Sequence, residues 1–281
     1  RTIDQKVNSI GAFAQYEWKP SEKFTALIGG RLDHVVINGD YTIQEIQRKS
    51  DIEQTVVSPR LTLRYKVSND WQFRGGYARG FRAPQAFNED MHISSVGGEP
   101  QFVILSNDQQ TEYSNAYTAS VNYSKNFNKL QTNFLLEGFY TELQNPFTTV
   151  STGASLSNGS ILEEVRNGSG AFVSGMNFEI GISPSSKFSF QMGGTLQNSK
   201  YKEGQVLFEA DGSNPNENDI IISEFVRNPN VYGYLNTNIS IFEETSLDLT
   251  GTYTGPMSVP LVISDSGFLQ LNETDSFYDF N

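Results

Sequence analysis

The 281-residue sequence contains no cysteine. Disulfide bonds and thiolate metal sites are therefore excluded, and with them the small secreted scaffolds that disulfides hold together. Long apolar runs are also missing, so the sequence predicts no transmembrane helix. Basic residues are scarce: the sequence has 20 Lys and Arg but 32 Asp and Glu, which gives a formal net charge of -12. This balance disfavours nucleic acid as a partner.

Catalytic motifs are absent as well. There is no His-Glu-x-x-His, no Gly-x-Ser-x-Gly, no phosphate-binding loop and no cysteine nucleophile. The chain has only two histidines, and one of them, His92, is the only base near a predicted strand end. The sequence therefore predicts no enzyme, no cofactor and no metal site.

What the sequence does contain is repeated alternation of apolar and polar residues. In residues 24–36, Phe24, Ile28 and Leu32 share one parity, whereas Thr25, Arg31 and Asp33 share the other. Opposite parities point to opposite faces of a strand, so each such segment predicts a strand with one apolar face. The same pattern occurs in residues 57–66, 71–78, 113–123, 188–197 and 247–253. Residues 231–241 mix the two parities, and their faces stay unassigned.

The links between these segments alternate strictly between short and long. The short links are residues 19–23, 67–70, 124–129, 183–187 and 242–245. The long links are residues 38–53, 83–110, 144–166, 201–223 and 255–274. In an antiparallel meander all short links lie at one end and all long links at the other. The fold class predicted is all-β, an antiparallel up-and-down transmembrane β-barrel with short periplasmic turns and long extracellular loops.

Aromatic residues lie beside the short links, where an interfacial girdle is expected in such a barrel. They include Tyr16, Trp18, Phe24, Tyr65, Trp71, Phe73, Tyr123, Phe127 and Phe188. The alternative is a soluble β-sandwich in which these rings fill a core. The strict alternation of link lengths favours the barrel.

Two stretches carry a resemblance to a known family. GAFAQYEWKPSEKFTALIGGRLD, followed by VVSPRLTLRYKVSNDWQFRGGYARGFRAPQAFNEDMH, resembles the barrel of a TonB-dependent outer-membrane receptor of the Bacteroidetes type. The resemblance implies outer-membrane lipid around a barrel of about 22 strands, in a Gram-negative bacterium. It also implies a plug domain inside the barrel and a TonB-type energy-coupling protein as partners.

About ten or eleven strands are visible in the sequence, with no plug and no coupling segment. We therefore expect residues 1–281 to be an internal part of the barrel of a longer chain, without its plug domain or C-terminal strands. The resemblance implies a receptor that binds a scarce small nutrient at its extracellular loops and imports it with TonB-coupled energy. Siderophores, cobalamin, haem and glycans are the candidate nutrients. A passive porin and a structural or adhesive outer-membrane protein are the alternatives.

Four arginines fall on the polar parity, namely Arg31, Arg60, Arg64 and Arg74. Because the family's plug occupies the barrel lumen, we expect these guanidiniums to face the lumen and meet carboxylates of the plug or of the barrel itself. The barrel acids considered are Asp33, Glu17, Glu112 and Glu137.

The long link after RGFRAP is the candidate ligand-binding loop. It offers charge, hydrogen bonding and stacking together, as small polar ligands require. The candidate residues are Arg82, Gln85, Phe87, Asp90, His92 and Phe102. For Arg82 the alternative is a purely structural role at the rim. NEDMH (88–92) and DGSNPNEND (211–219) read as solvated loop segments, whereas QFVIL (101–105) either packs on neighbouring loops or touches a ligand or partner.

Overall fold

In the computed structural model, residues 2–43, 46–84, 101–106, 109–155, 161–208, 219–262 and 269–281 are described. Their regular structure is entirely β. The large sheet contains β1 (Thr2–Trp18), β2 (Phe24–Ile43), β3 (Ile46–Lys66), β4 (Trp71–Arg82), β6 (Glu112–Phe127), β7 (Leu130–Gln144), β10 (Ala171–Ser185), β11 (Phe188–Phe208), β12 (Ile220–Glu224), β13 (Val231–Phe242), β14 (Thr245–Thr254) and β17 (Phe277–Phe280). One smaller sheet contains β5 (Gln101–Leu105), β8 (Phe147–Ser155) and β9 (Ile161–Asn167). A second contains β15 (Ser258–Val262) and β16 (Leu269–Glu273). The described residues contain no helix long and apolar enough to cross a membrane.

The large sheet is an antiparallel meander. Its spatial order is β1-β2-β3-β4-β6-β7-β10-β11-β13-β14-β17, and β12 pairs with β11 outside this path. Each neighbouring pair along the path is antiparallel. Among the described residues β1 and β17 pair on one side only, so the sheet is open. The predicted all-β antiparallel architecture is confirmed.

The short turns are tighter than the sequence indicated. We predicted links at 124–129 and 183–187, but β6 runs to Phe127 and β7 starts at Leu130, while β10 runs to Ser185 and β11 starts at Phe188. Asn128 has a φ of 55°, a left-handed conformation that asparagine tolerates and that suits a two-residue hairpin turn. The polar residues flanking the turns therefore still pair as strand.

The prediction of a long loop at residues 38–53 was wrong for residues 38–43 and 46–53, which are strand. β2 and β3 continue as a paired ladder from Asn38↔Asp51 to Ile43↔Ile46. Asn38 Nδ2 donates to Asp51 Oδ1 at 2.8 Å, and Lys49 lies 3.4 Å from Asp40. Side chains this far along the hairpin are mostly polar on both faces, so the apolar alternation that marks a strand disappears although the pairing continues.

Parts of the other long links are also strand rather than loop. β5, which is the QFVIL segment, pairs in parallel with β9, and β9 pairs antiparallel with β8. β5 belongs to the link after β4, whereas β8 and β9 belong to the link after β7. Two long links therefore share one small sheet at the end of the large sheet opposite the short turns.

A small apolar cluster lies where β4 ends. Val35, Ile37 and Ala83 are buried, and Ile52 and Phe81 pack against them. Pro84 is also fully buried and follows the last strand residues of RGFRAP. Proline has no amide hydrogen to donate, which agrees with the end of β4 at Arg82.

Candidate functional site

The strand register gives the large sheet two chemically distinct faces. One row of directly paired residues runs from Leu61 to Tyr77, Tyr117 and Tyr140, and the next row runs from Thr62 to Gly76, Thr118 and Phe139. We call the face carrying Leu61 the apolar face and the face carrying Thr62 the polar face. Propagating the register across the sheet assigns every residue of the main path to one of them.

Large apolar side chains are exposed along the whole apolar face. At least 36% of the surface of each of the following is accessible: Ile10, Tyr16, Trp18, Ile28, Leu32, Val57, Leu61, Leu63, Tyr65, Trp71, Phe73, Tyr117, Leu136, Tyr140, Met176, Ile182, Leu196, Val231, Leu235, Leu247, Leu249, Tyr278 and Phe280. Exposed apolar residues on the polar face are few, and three of them, Val7, Phe13 and Phe277, belong to the edge strands. Water disfavours such a continuous apolar surface, whereas lipid hydrocarbon accommodates it.

Aromatic rings form two groups on the apolar face. Beside the short turns, Trp18 meets Phe24 edge-on at 6.0 Å, and Trp71 lies 4.7 Å from Tyr123. Further along the strands a second group crosses four adjacent strands, with successive ring centroids 5.0 to 6.4 Å apart. Its members are Tyr77, Tyr117, Tyr140 and Phe172. Rings with a wet edge and an apolar body suit a membrane interface.

The predicted lumen residues Arg31, Arg60, Arg64 and Arg74 all lie on the polar face. Arg31 is paired within its own strand: its Nη2 lies 2.7 Å from Asp33 Oδ1, and its Nε donates to both carboxylate oxygens at 2.8 Å. The Asp33 side chain is only 2% exposed. Burial of this carboxylate is tolerated because the guanidinium compensates its charge.

The other three arginines find no carboxylate within ion-pair distance in the described ranges. Arg64 Nη2 donates to Thr25 Oγ1 at 2.9 Å, while its buried Nε has no partner there. With the Gln72 amide turned so that its oxygen faces Arg74, that oxygen accepts from Nε and Nη2 at 2.7 Å. The partners of Arg64 and Arg74 are neutral, and Arg60 has no ion pair within the described ranges, so the charges of all three remain uncompensated there. We call them the arginine cluster.

Carboxylates occupy another part of the polar face. Glu137 accepts from Asn177 Nδ2 at 3.1 Å, and Glu179 accepts from Gln191 Nε2 at 3.0 Å and from the Tyr234 hydroxyl at 3.2 Å. Among the described residues neither acid forms an ion pair. The polar face therefore carries positive charge on β3 and β4 and negative charge on β7 and β10.

The remaining predicted acids pair elsewhere. Glu17 lies 2.6 Å from Lys19, next to a short turn. Glu112 Oε2 lies 2.9 Å from Arg82 Nη2 and accepts from the amide of Phe147 at 3.0 Å. The Arg82 guanidinium also lies over the Phe147 ring at 4.8 Å. Arg82 thus joins the ends of β4, β6 and β8, although its side chain stays 43% exposed.

The other ligand candidates are outside the part of the chain that is described. Gln85, Phe87, Asp90 and His92 fall in residues 85–100, and of Phe102 only the backbone, within β5, is described. The NEDMH segment and most of DGSNPNEND share this position. Within the described ranges no three His, Asp or Glu side chains are close enough together to hold a metal ion.

Sequence reasoning missed an asparagine at the base of two long links. Asn167 Oδ1 accepts from the Gln110 amide at 2.7 Å, and its Nδ2 donates to the Gln110 carbonyl at 2.9 Å and the Asn145 carbonyl at 2.8 Å. In the sequence, Asn167-Gly168 indicates only a turn. The partners come from distant segments, so no local signal identifies them.

Comparison with known proteins agrees with this geometry. The family model described as "TonB dependent receptor-like, beta-barrel" matches residues 1–260. No curated protein matches the sequence. Among solved structures, the ferric-catecholate import receptor Fiu from E. coli K12 has 13% identity, a TM-score of 0.66 and coverage of 98% of this chain and 38% of its own.

Two further solved structures show the same fold. The siderophore receptor PiuA from Acinetobacter baumannii has 12% identity, a TM-score of 0.70 and coverage of 99% of this chain and 36% of its own. The copper transporter OprC has 13% identity, a TM-score of 0.66 and coverage of 99% and 39%. This chain therefore spans less than two-fifths of the length of each. With its family model matched over most of its length, the chain belongs to the TonB-dependent receptors and forms part of their β-barrel.

Proposed function

We propose that the protein is an outer-membrane receptor that binds a scarce nutrient at its long connections and imports it with energy from a TonB-type protein. The observation that carries the proposal is the two-faced sheet: a continuous exposed apolar face opposite a polar face with uncompensated charge. The similar structures are named for ferric-catecholate import, for a siderophore and for copper. A metal or metal chelate is accordingly the first nutrient class to test.

The apolar face is the lipid-facing surface in this proposal. Lipid then surrounds the exposed apolar side chains, and the aromatic groups lie toward the interfaces. The short turns face the periplasm and the long connections face the exterior of a Gram-negative bacterium. The free edges of β1 and β17 would pair with further strands, because unpaired backbone is not stable in lipid.

The arginine cluster is the proposed contact surface for a plug domain. A guanidinium binds carboxylates through two parallel hydrogen bonds, and such bonds are stronger than those to neutral groups. Arg60, Arg64 and Arg74 would therefore hold acidic side chains of the plug. Arg31 contributes less, because Asp33 already satisfies it.

The candidate ligand site combines Arg82, Gln85, Phe87, Asp90, His92 and Phe102. Arg82 enters it with part of its guanidinium already bound to Glu112. Its contribution to ligand binding is therefore a charge held at the rim. The side chains that follow it in the 85–100 segment would supply the remaining contacts.

The test is uptake by the parent bacterium after deletion of the complete gene. The labelled probes are an iron(III)–catecholate complex, iron(III) citrate, a copper chelate, haem and cyanocobalamin. We expect uptake of one probe to be lost, because its receptor is gone, and to be lost equally when the energy-coupling protein is deleted instead. Uptake that does not depend on coupling, together with unselective solute flux through the purified protein in liposomes, would establish the passive porin. If uptake of every probe is unchanged and the cells instead lose attachment to surfaces, the protein is an adhesive outer-membrane protein.

A further inference from the structure

The links between β4 and β6 and between β7 and β10 contact each other directly at the end of the sheet. β5 from the first link pairs in parallel with β9 from the second, from Gln101↔Ile161 to Leu105↔Val165. Such pairing joins segments that are far apart in the chain, so its register is not set by any hairpin turn between them. Contacts at the base of the two links must therefore fix the register of the β5–β9 pairing.

Asn167, the last residue of β9, is placed to do this. Its amide oxygen and nitrogen bind both backbone groups of Gln110, and the nitrogen also binds the carbonyl of Asn145. Gln110 lies two residues before β6, and Asn145 lies directly after β7. One half-buried side chain therefore joins three backbone segments at the point where they leave the large sheet.

Neighbouring bonds extend the same junction. The Ser106 amide and the Gln109 side chain both donate to the carbonyl of Val165, at 2.9 and 2.7 Å. The Asn145 side chain donates to Gln110 Oε1 at 3.2 Å, and Gly168 donates to the Pro146 carbonyl at 2.7 Å. These bonds satisfy backbone groups that would otherwise be left unpaired at the start of each link.

We propose that the described parts of the two links, which contain β5, β8 and β9, form one rigid platform at the long-connection end of the sheet, and that Asn167 is the positioning residue that fixes it. A displacement of β5 is then transmitted to β9, because neither strand moves without breaking the shared junction. The use of the platform for ligand capture rests on the proposed receptor function. Its rigidity does not, since it follows from the contacts alone.

The platform is tested without any ligand by hydrogen–deuterium exchange of the complete protein in lipid nanodiscs. In Asn167→Ala we expect the amides of residues 101–106, 147–155 and 161–167 to exchange about tenfold faster, and to do so together. The paired strands β15 and β16 should keep their wild-type exchange rate. Heat-modifiable migration in gels verifies that the barrel has folded.

Two further variants separate positioning from simple packing. Asn167→Asp keeps the acceptor for the Gln110 amide but sets a carboxylate against the carbonyls of Gln110 and Asn145, so we expect it to exchange at least as fast as Asn167→Ala. Asn228→Ala removes a similar junction elsewhere, where Asn228 donates to Ser199 Oγ at 2.6 Å and accepts from Gln197. Asn228→Ala should leave the amide exchange rates of residues 101–106 unchanged.

The proposal is overturned if Asn167→Ala accelerates exchange in only one of the two links. It is also overturned if Asn167→Asp exchanges like the wild type. Because no nutrient is used, failure here leaves the receptor proposal intact, and loss of uptake in the gene deletion leaves the platform intact.

Discussion

Arg64 and Arg74 lie directly opposite each other in the β3–β4 ladder and project from the same polar face. Like charges at directly paired positions repel one another. Their hydrogen-bond partners, Thr25 and Gln72, are neutral and do not offset this repulsion. A carboxylate brought by a plug domain would offset it, which makes this pair the most informative point on the proposed plug contact.

The first prediction concerns the seating of the plug. Arg74→Gln in the complete receptor should weaken that seating, because a charged partner of the plug carboxylates is lost. The measurement is conductance across a planar bilayer as urea is raised, since conductance appears when the plug unfolds. We expect Arg74→Gln to open at a lower urea concentration than the wild type.

The double variant Arg31→Gln/Asp33→Asn is the matched control for this experiment. It removes a guanidinium from the same face together with the buried carboxylate that the guanidinium compensates, so no buried charge is left unpaired. Conductance should therefore appear at the wild-type urea concentration. If Arg74→Gln also opens at that concentration, the arginine cluster does not hold the plug.

The second prediction tests the face assignment. Leu61 lies on the apolar face and Thr62 on the polar face, one residue apart in β3. Leu61→Arg should destabilise the folded protein by about 2–4 kcal/mol, the cost of an arginine facing lipid near the membrane centre. Thr62→Arg should cost much less, because its side chain faces the polar interior. Reversible folding into bilayers measures both, and equal costs would contradict the assignment.

A third prediction concerns the acidic part of the polar face. Tyr234 donates to Glu179, so Tyr234→Phe removes a hydrogen bond to a charged acceptor and should lower the free energy of unfolding by about 1.5–3 kcal/mol. Tyr140→Phe is the control, since its hydroxyl is on the exposed apolar face with no partner among the described residues. Urea unfolding of the two variants should differ by this amount. Identical midpoints would show that the Tyr234 hydroxyl does not stabilise the sheet.

The fourth prediction places ligand capture in the link after β4. The candidate ligand residues in this link extend to Phe102, but β5 starts at Gln101 and belongs to the small sheet. Deleting residues 87–98 keeps this strand, and it should abolish binding of the nutrient by whole cells while the barrel still inserts. Deleting residues 209–218 is the control of similar size. Unchanged affinity in the first variant would move the site to the 144–166 or 201–223 connection.

The large sheet was predictable because one face meets an apolar environment. Where that holds, as for Leu61 and Thr62, the two-residue period is clear in the sequence. Residues 231–241 could not be assigned because the polar face carries Tyr232 and Tyr234, whose rings look apolar although one hydroxyl binds Glu179. The register of β11 and β13 resolves this ambiguity.

The far end of the sheet was less predictable for two physical reasons. Around Asn38 and Asp51 both faces are polar, so pairing continues without any alternation. The β5–β9 pairing and the bonds between Asn167 and Gln110 join segments more than fifty residues apart, and their partners are determined by the three-dimensional arrangement alone. Hydrophobic periodicity contains no information about such contacts.

The orientation of the sheet in the membrane is the most direct test of the whole account. Since these residues contain no cysteine, single cysteines at Ser169, beside the long connections, and at Ser68, in a short turn, give clean labelling sites once any others in the complete protein are removed. A membrane-impermeant maleimide on intact cells should label Ser169→Cys and should label Ser68→Cys only after the outer membrane is opened. Labelling of both positions on intact cells, or of Ser68→Cys alone, would contradict the account.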